Sequence, residues 1–172
     1  PDHEYGKLYS LPFEDNVNGG IPITFLNVPI EYLKDAAIKQ LKDGESVWFG
    51  NDVLKEMDRK TGYLDTELYK TDELFDVDTY MTKAERLATG EGEVSHAMTL
   101  VGVDLDKGEI RKWKVENSWS EKSGRKGYFT MSDKWFDEFV YEVVVRKEFL
   151  TEDQKKLAES KPTPLPAWDS LA

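Results

Sequence analysis

Apolar residues at Ile30, Leu33, Ala37 and Leu41 recur at the spacing of one helix face, and Gly44 follows where such a helix would stop. The stretch before it, residues 1–30, is broken by Asn18-Gly19-Gly20, Ile21-Pro22 and Val28-Pro29 and predicts turns with short extended pieces. After Gly44 the period changes. Ser46 to Gly50 predicts a short buried strand, and 51–80 an acidic, irregular excursion with one or two helical turns. Thr82-Lys83-Ala84-Glu85 is a capping box that opens a short helix ending near Gly90. Four β-type runs follow: His96 to Val103, Ile110 to Asn117, Gly127 to Met131 and Val140 to Arg146. One helix interrupts them, capped by Ser132 and covering Asp133 to Phe139. Thr151-Glu152-Asp153-Gln154 caps a last helix to about Ser160, and prolines at 162, 164 and 166 predict an extended arm beyond it.

A helix followed by strands joined through short turns, without βαβ alternation, predicts an α+β fold with a small antiparallel sheet or barrel. The organisation expected is an irregular segment plus helix over 1–45, a barrel-like unit over 46–150, and a helix with an extended arm over 151–172.

Composition narrows the functional classes. Of 172 residues, 39% are hydrophobic, with five Trp, eight Tyr and eight Phe, enough for an aromatic-rich core. The formal net charge of -11 argues against general affinity for phosphate backbones, so no nucleic-acid partner is expected. Solubility accounts for the acidity, and attraction of cationic substrates is the sharper alternative. There is no cysteine, hence no disulfide, no thiolate metal site and no thiol nucleophile. No run approaches the roughly 18 apolar residues of a membrane span. The chain begins at Pro1 rather than Met, which predicts a processed product or fragment.

The chemistry gathers around one predicted hairpin. Leu105-Asp106-Lys107-Gly108 is a turn signal; if Leu105 pairs with Gly108, His96 falls opposite Asn117, with Cβ atoms ~4.5–5.5 Å apart, and a bulge at Gly108 would move the partner by one residue. An Asn side-chain oxygen can accept the imidazole Nδ1–H, fix the tautomer and aim Nε2 at a nucleophile. With a thiol as nucleophile the imidazolium holds the thiolate, and a neutral Asn suits that charge pair better than Asp. A cross-strand His–Asn pair also describes two polar groups satisfying each other in a sheet.

The surrounding words carry a resemblance. His96-Ala97-Met98-Thr99-Leu100-Val101-Gly102-Val103, then Trp113-Lys114-Val115-Glu116-Asn117-Ser118-Trp119, then Gly127-Tyr128-Phe129-Thr130-Met131 resemble the second domain of the papain-like cysteine peptidases. Ser46 to Gly50, Met81 to Leu87, Met131 to Phe136, Tyr141 to Val145 and the ending Pro166 to Ala172 resemble the bleomycin hydrolase and aminopeptidase C branch. The likeness runs from about Tyr5 to the C-terminus.

That resemblance implies the His- and Asn-bearing second domain of a papain-like fold, with His96 and Asn117 catalytic and Trp119 shielding their hydrogen bond from water. Ser120 stands where the family has Gly. The catalytic Cys and oxyanion-hole Gln would lie in the absent first half of a longer chain, the partner this portion requires, so this portion alone is expected to be inactive. The implied parent is a cytoplasmic, cofactor-free and metal-free homohexamer that releases N-terminal residues from peptide substrates, with no membrane partner. The carboxylate of Ala172, at the end of the arm, would receive the substrate α-amine. The alternative is a peptidase-like domain used for binding or assembly.

Other candidates are weaker. Asp104, Asp106 and Glu109 suggest a calcium loop, but Gly108 and Val115 stand where ligands are needed, and a solvated turn is expected. Ser95 adjoins His96 but points to the opposite strand face. His3 is expected to be exposed.

Overall fold

The computed structural model describes residues 3–14 and 17–169. Its strands are β1 (Lys7–Ser10), β2 (Thr24–Asn27), β3 (Val47–Asn51), β4 (Met57–Asp58), β5 (Tyr63–Leu64), β6 (His96–Asp106), β7 (Glu109–Glu116), β8 (Tyr128–Ser132), β9 (Val140–Val144) and β10 (Thr163–Pro164). The α-helices are α1 (Ile30–Lys42), α2 (Thr71–Phe75), α3 (Lys83–Thr89), α4 (Asp133–Phe139) and α5 (Glu152–Ala158). The fold is α+β: a curled seven-stranded sheet, ordered β4-β5-β8-β7-β6-β3-β9, flanked by helices, and a three-stranded sheet ordered β10-β1-β2.

Helix α1 lays Ala37 into the main core, with Ile30, Leu33, Ile38 and Leu41 packed at its margin. Its Lys34 pairs with Asp133 at 2.8 Å and Asp137 at 2.6 Å on α4. The main core joins Val47 and Phe49 of β3, Leu100 of β6, Trp113 and Val115 of β7, and Trp135 and Phe136 of α4. Trp113 stacks on Phe136 with ring centroids 4.9 Å apart. The capping boxes at Thr82 and Thr151 are both formed, and Ser132 caps α4 through the Trp135 amide.

The excursion over 51–80 contributes more than helical turns. Strands β4 and β5 form a small hairpin, and β5 runs parallel to β8, so the excursion extends the main sheet. The C-terminal arm is likewise a strand in part, with β10 parallel to β1 at Tyr9 and Ser10. Tyr9, Leu11 and Leu165 form a second small core beneath it.

The β6–β7 hairpin turns one residue later than the spacing predicts. Asp106 pairs with Glu109, and the two-residue loop Lys107-Gly108 has φ of 53° and 93°, the mirror-image turn whose twist matches the flanking strands. Two irregularities follow, an extra Arg111 on β7 and an extra Val101 on β6, so the register returns to its starting offset. His96 therefore does not lie opposite Asn117. Its cross-strand partner is Asn51 on β3. The acidic turn carries ion pairs, Asp106 with Arg111 at 3.1 Å and Asp104 with Lys112 at 3.4 Å. No acidic or histidine cluster able to hold a metal ion occurs among the described residues, and none of their helices is long and apolar enough to cross a membrane.

Candidate active site

His96 is the first residue of β6, and Asn117 is the first residue after β7. Asn117 leaves the ladder and donates its backbone amide to Gly127 O at 3.0 Å, which closes the loop from 117 to 127 at its base. That loop, and not direct strand pairing, brings the two side chains together: His96 Nε2 lies 2.9 Å from Asn117 Oδ1. The nitrogen is the opposite one from that expected from sequence. With Nε2 held by the amide oxygen, Nδ1 is the ring nitrogen left to meet a reacting group. Asn117 is 7% exposed and His96 half-buried, so the bond is partly removed from water.

Trp119 packs against the His96 ring. Its ring centroid lies 5.0 Å from that of His96 at an interplanar angle of 33°, and Phe129 meets it edge-on at 6.1 Å. Sequence reasoning missed what holds Trp119. The guanidinium of Arg59 sits over its ring, with Cζ 4.9 Å from the centroid. Arg59 Nε donates to Ser123 Oγ at 3.2 Å, Ser123 Oγ donates to Trp119 O at 3.1 Å, and Arg59 O accepts the Gly124 amide at 2.9 Å. The turn from Asp58 to Gly62 reaches the loop because both meeting points are glycines. A Cβ on Gly62 would lie 2.8 Å from Gly124 Cα, and one on Gly124 would lie 3.2 Å from Gly62 Cα. No spacing signal in the sequence marks Arg59, since the contact is created by the tertiary docking of β4 and β5.

Ser120 adopts φ of 75°, a left-handed conformation that suits the Gly expected there. Ser95 Oγ donates to Asp52 Oδ1 at 3.3 Å and engages that carboxylate rather than the imidazole. Burial pushes the Asp52 carboxyl up, offset in part by the Glu93 amide and Lys55. A groove of about 310 Å³ lined by Trp48, Ala97, Thr99, Glu116 and Asn117 adjoins the pair. A larger concavity of about 500 Å³, lined by Gly102, Trp113, Arg125 and Tyr128, includes neither His96 nor Asn117.

His3 is not the exposed residue expected. Its Nε2 lies 2.9 Å from Asp169 Oδ2, and its ring packs edge-on to Tyr9 at 5.2 Å, because the β1–β10 pairing brings the segments around His3 and Asp169 together. Ala172, the expected amine-binding terminus, lies outside the described residues.

A family model described as the Peptidase C1-like family matches residues 1–172. The chain is 71% identical over its whole length to aminopeptidase G of Lactobacillus delbrueckii subsp. lactis, and 47% identical, over 99% of the chain, to aminopeptidase C of Lactobacillus helveticus. It spans 39% and 38% of the length of these two relatives. Its fold matches the crystal structure of PepW from Lactobacillus rhamnosis HN001 with a TM-score of 0.95 and 52% identity, covering 98% of this chain and 39% of that one.

Proposed function

The chain belongs to the Peptidase C1-like family, and on that premise we propose that it is the histidine- and asparagine-bearing C-terminal portion of a cysteine aminopeptidase. The observation that carries the reading is the 2.9 Å bond from His96 Nε2 to Asn117 Oδ1, with the Trp119 ring packed on that of His96. A ring held in this way has one tautomer and one orientation. It can accept a proton from a thiol through Nδ1 and keep the resulting thiolate paired with imidazolium. The thiolate, supplied by the remainder of the full-length protein, attacks the scissile carbonyl carbon. The imidazolium protonates the departing amine as the C–N bond breaks. His96 then takes a proton from water, which attacks the thioester and releases the acid and the thiolate.

In this reading the arm beyond β10 directs the Ala172 carboxylate to the substrate α-amine and restricts cleavage to the N-terminal residue. The parent is a cytoplasmic homohexamer that needs no cofactor. The β1–β10 pairing, the Tyr9–Leu11–Leu165 core and the His3–Asp169 contact support a fixed arm.

The test uses the full-length protein and fluorogenic aminoacyl substrates with free and acylated amines. Thiol-dependent release from the free-amine substrate is expected, with little from the acylated one. His96→Ala is expected to abolish it, and residues 1–172 alone to be inactive. Normal turnover by His96→Ala would overturn the catalytic assignment, and equal cleavage of acylated substrates would overturn the aminopeptidase register.

A further inference from the structure

The core face of β3 runs Val47, Phe49 and then Asn51, an amide that is 0% exposed where the pattern calls for another apolar side chain. Asp52 follows at 4% exposure. Burying polar groups in this way costs free energy unless they are bonded. Places where the local pattern is broken are often functional. Their bonds converge on the entry to β6. Asn51 stands directly opposite His96, its Nδ2 donates to His96 O at 3.1 Å, and its backbone O accepts the Ser95 amide at 3.1 Å. Asp52 Oδ1 accepts Ser95 Oγ at 3.3 Å, and the Asp52 amide is anchored to Phe139 O at 3.0 Å. The β3–β9 register shifts between Gly50 and Asn51, while the β3–β6 register runs unbroken to Asn51 and His96.

We propose that Asn51 and Asp52 are positioning residues of the peptidase: they fix the backbone of Ser95 and His96 from the β3 side, and so aim the His96 ring that Asn117 holds from the loop side. The inference rests on the proposed role of His96. The imidazole is gripped at two ends. Asn117 sets the rotation of the ring, while Asn51 and Asp52 set where its Cα stands. A shift of the backbone carries the ring with it, and misplacement by about 1 Å can cost ~100-fold in rate. The side chains of Asn51 and Asp52 need touch no substrate to act in this way.

The test is made in the full-length protein with Asn51→Leu, which keeps the volume and removes the bond to His96 O, and with Asp52→Ala, which removes the acceptor of Ser95 Oγ. Two quantities are read: kcat against KM, and the pH profile of thiol alkylation by iodoacetamide, which reports the thiolate–imidazolium pair. The expected result is a fall in kcat of ~10-fold or more with KM within about twofold, and loss of alkylation below pH ~7 toward the behaviour of a free thiol of pKa ~8.5. A variant that only loosened the fold would lower the folded fraction without moving the alkylation profile of the folded enzyme. If Asn51→Leu does not fold, Asp52→Ala decides. Folded variants with unchanged kcat and alkylation profile overturn the proposal. His96→Ala separates the two levels. If it abolishes turnover while Asn51→Leu and Asp52→Ala leave kcat and the alkylation profile unchanged, the positioning role alone fails; if it leaves turnover intact, the catalytic reading fails with it.

Discussion

His96 Nε2 and Asn117 Oδ1 lie 2.9 Å apart although the two residues are not cross-strand partners; His96 faces Asn51, and Asn117 stands one residue beyond the end of β7. The bond is therefore made by the loop closed between Asn117 and Gly127. Whatever distorts that loop moves the acceptor away from the ring.

Removing the acceptor isolates this effect. In the full-length protein, Asn117→Ala is expected to lower kcat by ~100-fold while KM changes little, because the ring loses its orientation and the substrate contacts remain. Steady-state kinetics on a free-amine substrate checks this. A kcat within twofold of the parent would show that the ring needs no partner at Nε2.

Arg59 reaches the same pair through Trp119. Its guanidinium over the indole, its bond to Ser123 Oγ and its carbonyl bond to Gly124 hold the ring that covers His96. A cation–π contact in a partly desolvated place is worth about 1 kcal/mol, so Arg59→Ala is expected to lower kcat by roughly fivefold. Arg59→Lys should not restore it, since an ammonium neither stacks in a plane nor reproduces the Nε bond. Full recovery by lysine would reduce the contact to charge alone.

The elements with local signals were legible in the sequence: the helical spacing of α1, the capping boxes of α3 and α5, and the Ser132 cap of α4. The proximity of His96 and Asn117 was legible too, but not its geometry. The Lys107-Gly108 turn, the extra residues Arg111 and Val101, and the choice of Nε2 depend on backbone conformation that residue spacing does not encode. Arg59 and His3 were illegible because their partners, Trp119 and Asp169, are distant in sequence and are met only through tertiary docking. Asn51-Asp52 did leave a trace, a polar pair continuing a buried strand, which is readable once β3 is known to abut His96.

Ser120 tests the loop from the stability side. A non-glycine residue at φ 75° carries a steric cost of about 1–2 kcal/mol, and glycine in turn gains freedom in the unfolded chain. The net expectation for Ser120→Gly is stabilisation of about 0.5–1 kcal/mol, seen as a higher unfolding midpoint in urea. A lower midpoint would mean that the bond from the Lys122 amide to Ser120 Oγ, 3.4 Å long, outweighs the strain.

Lys83 gives a pH dependence with a definite sign. Its Nζ donates to Val140 O at 2.6 Å and lies 5.2 Å from the centre of the Tyr141 ring. Burial lowers its pKa from 10.5 to about 8, against the opposing pull of Glu138 and Asp137. Below pH 8 the group is charged in both states, and the cost of burying the charge is constant. Between about 8 and 10.5 the unfolded chain still binds a proton that the folded one has released, so this group makes stability rise with pH. Replacing it by Met removes the charge and keeps an unbranched side chain. Lys83→Met is therefore expected to be favoured over the parent most at pH 7, with the advantage shrinking by a few kcal/mol at most as the pH passes from 8 to 10. Urea unfolding of both proteins at pH 7 and pH 10 measures the difference directly. A gap that stays constant across that window would mean that Lys83 keeps its ordinary affinity for the proton in the folded protein.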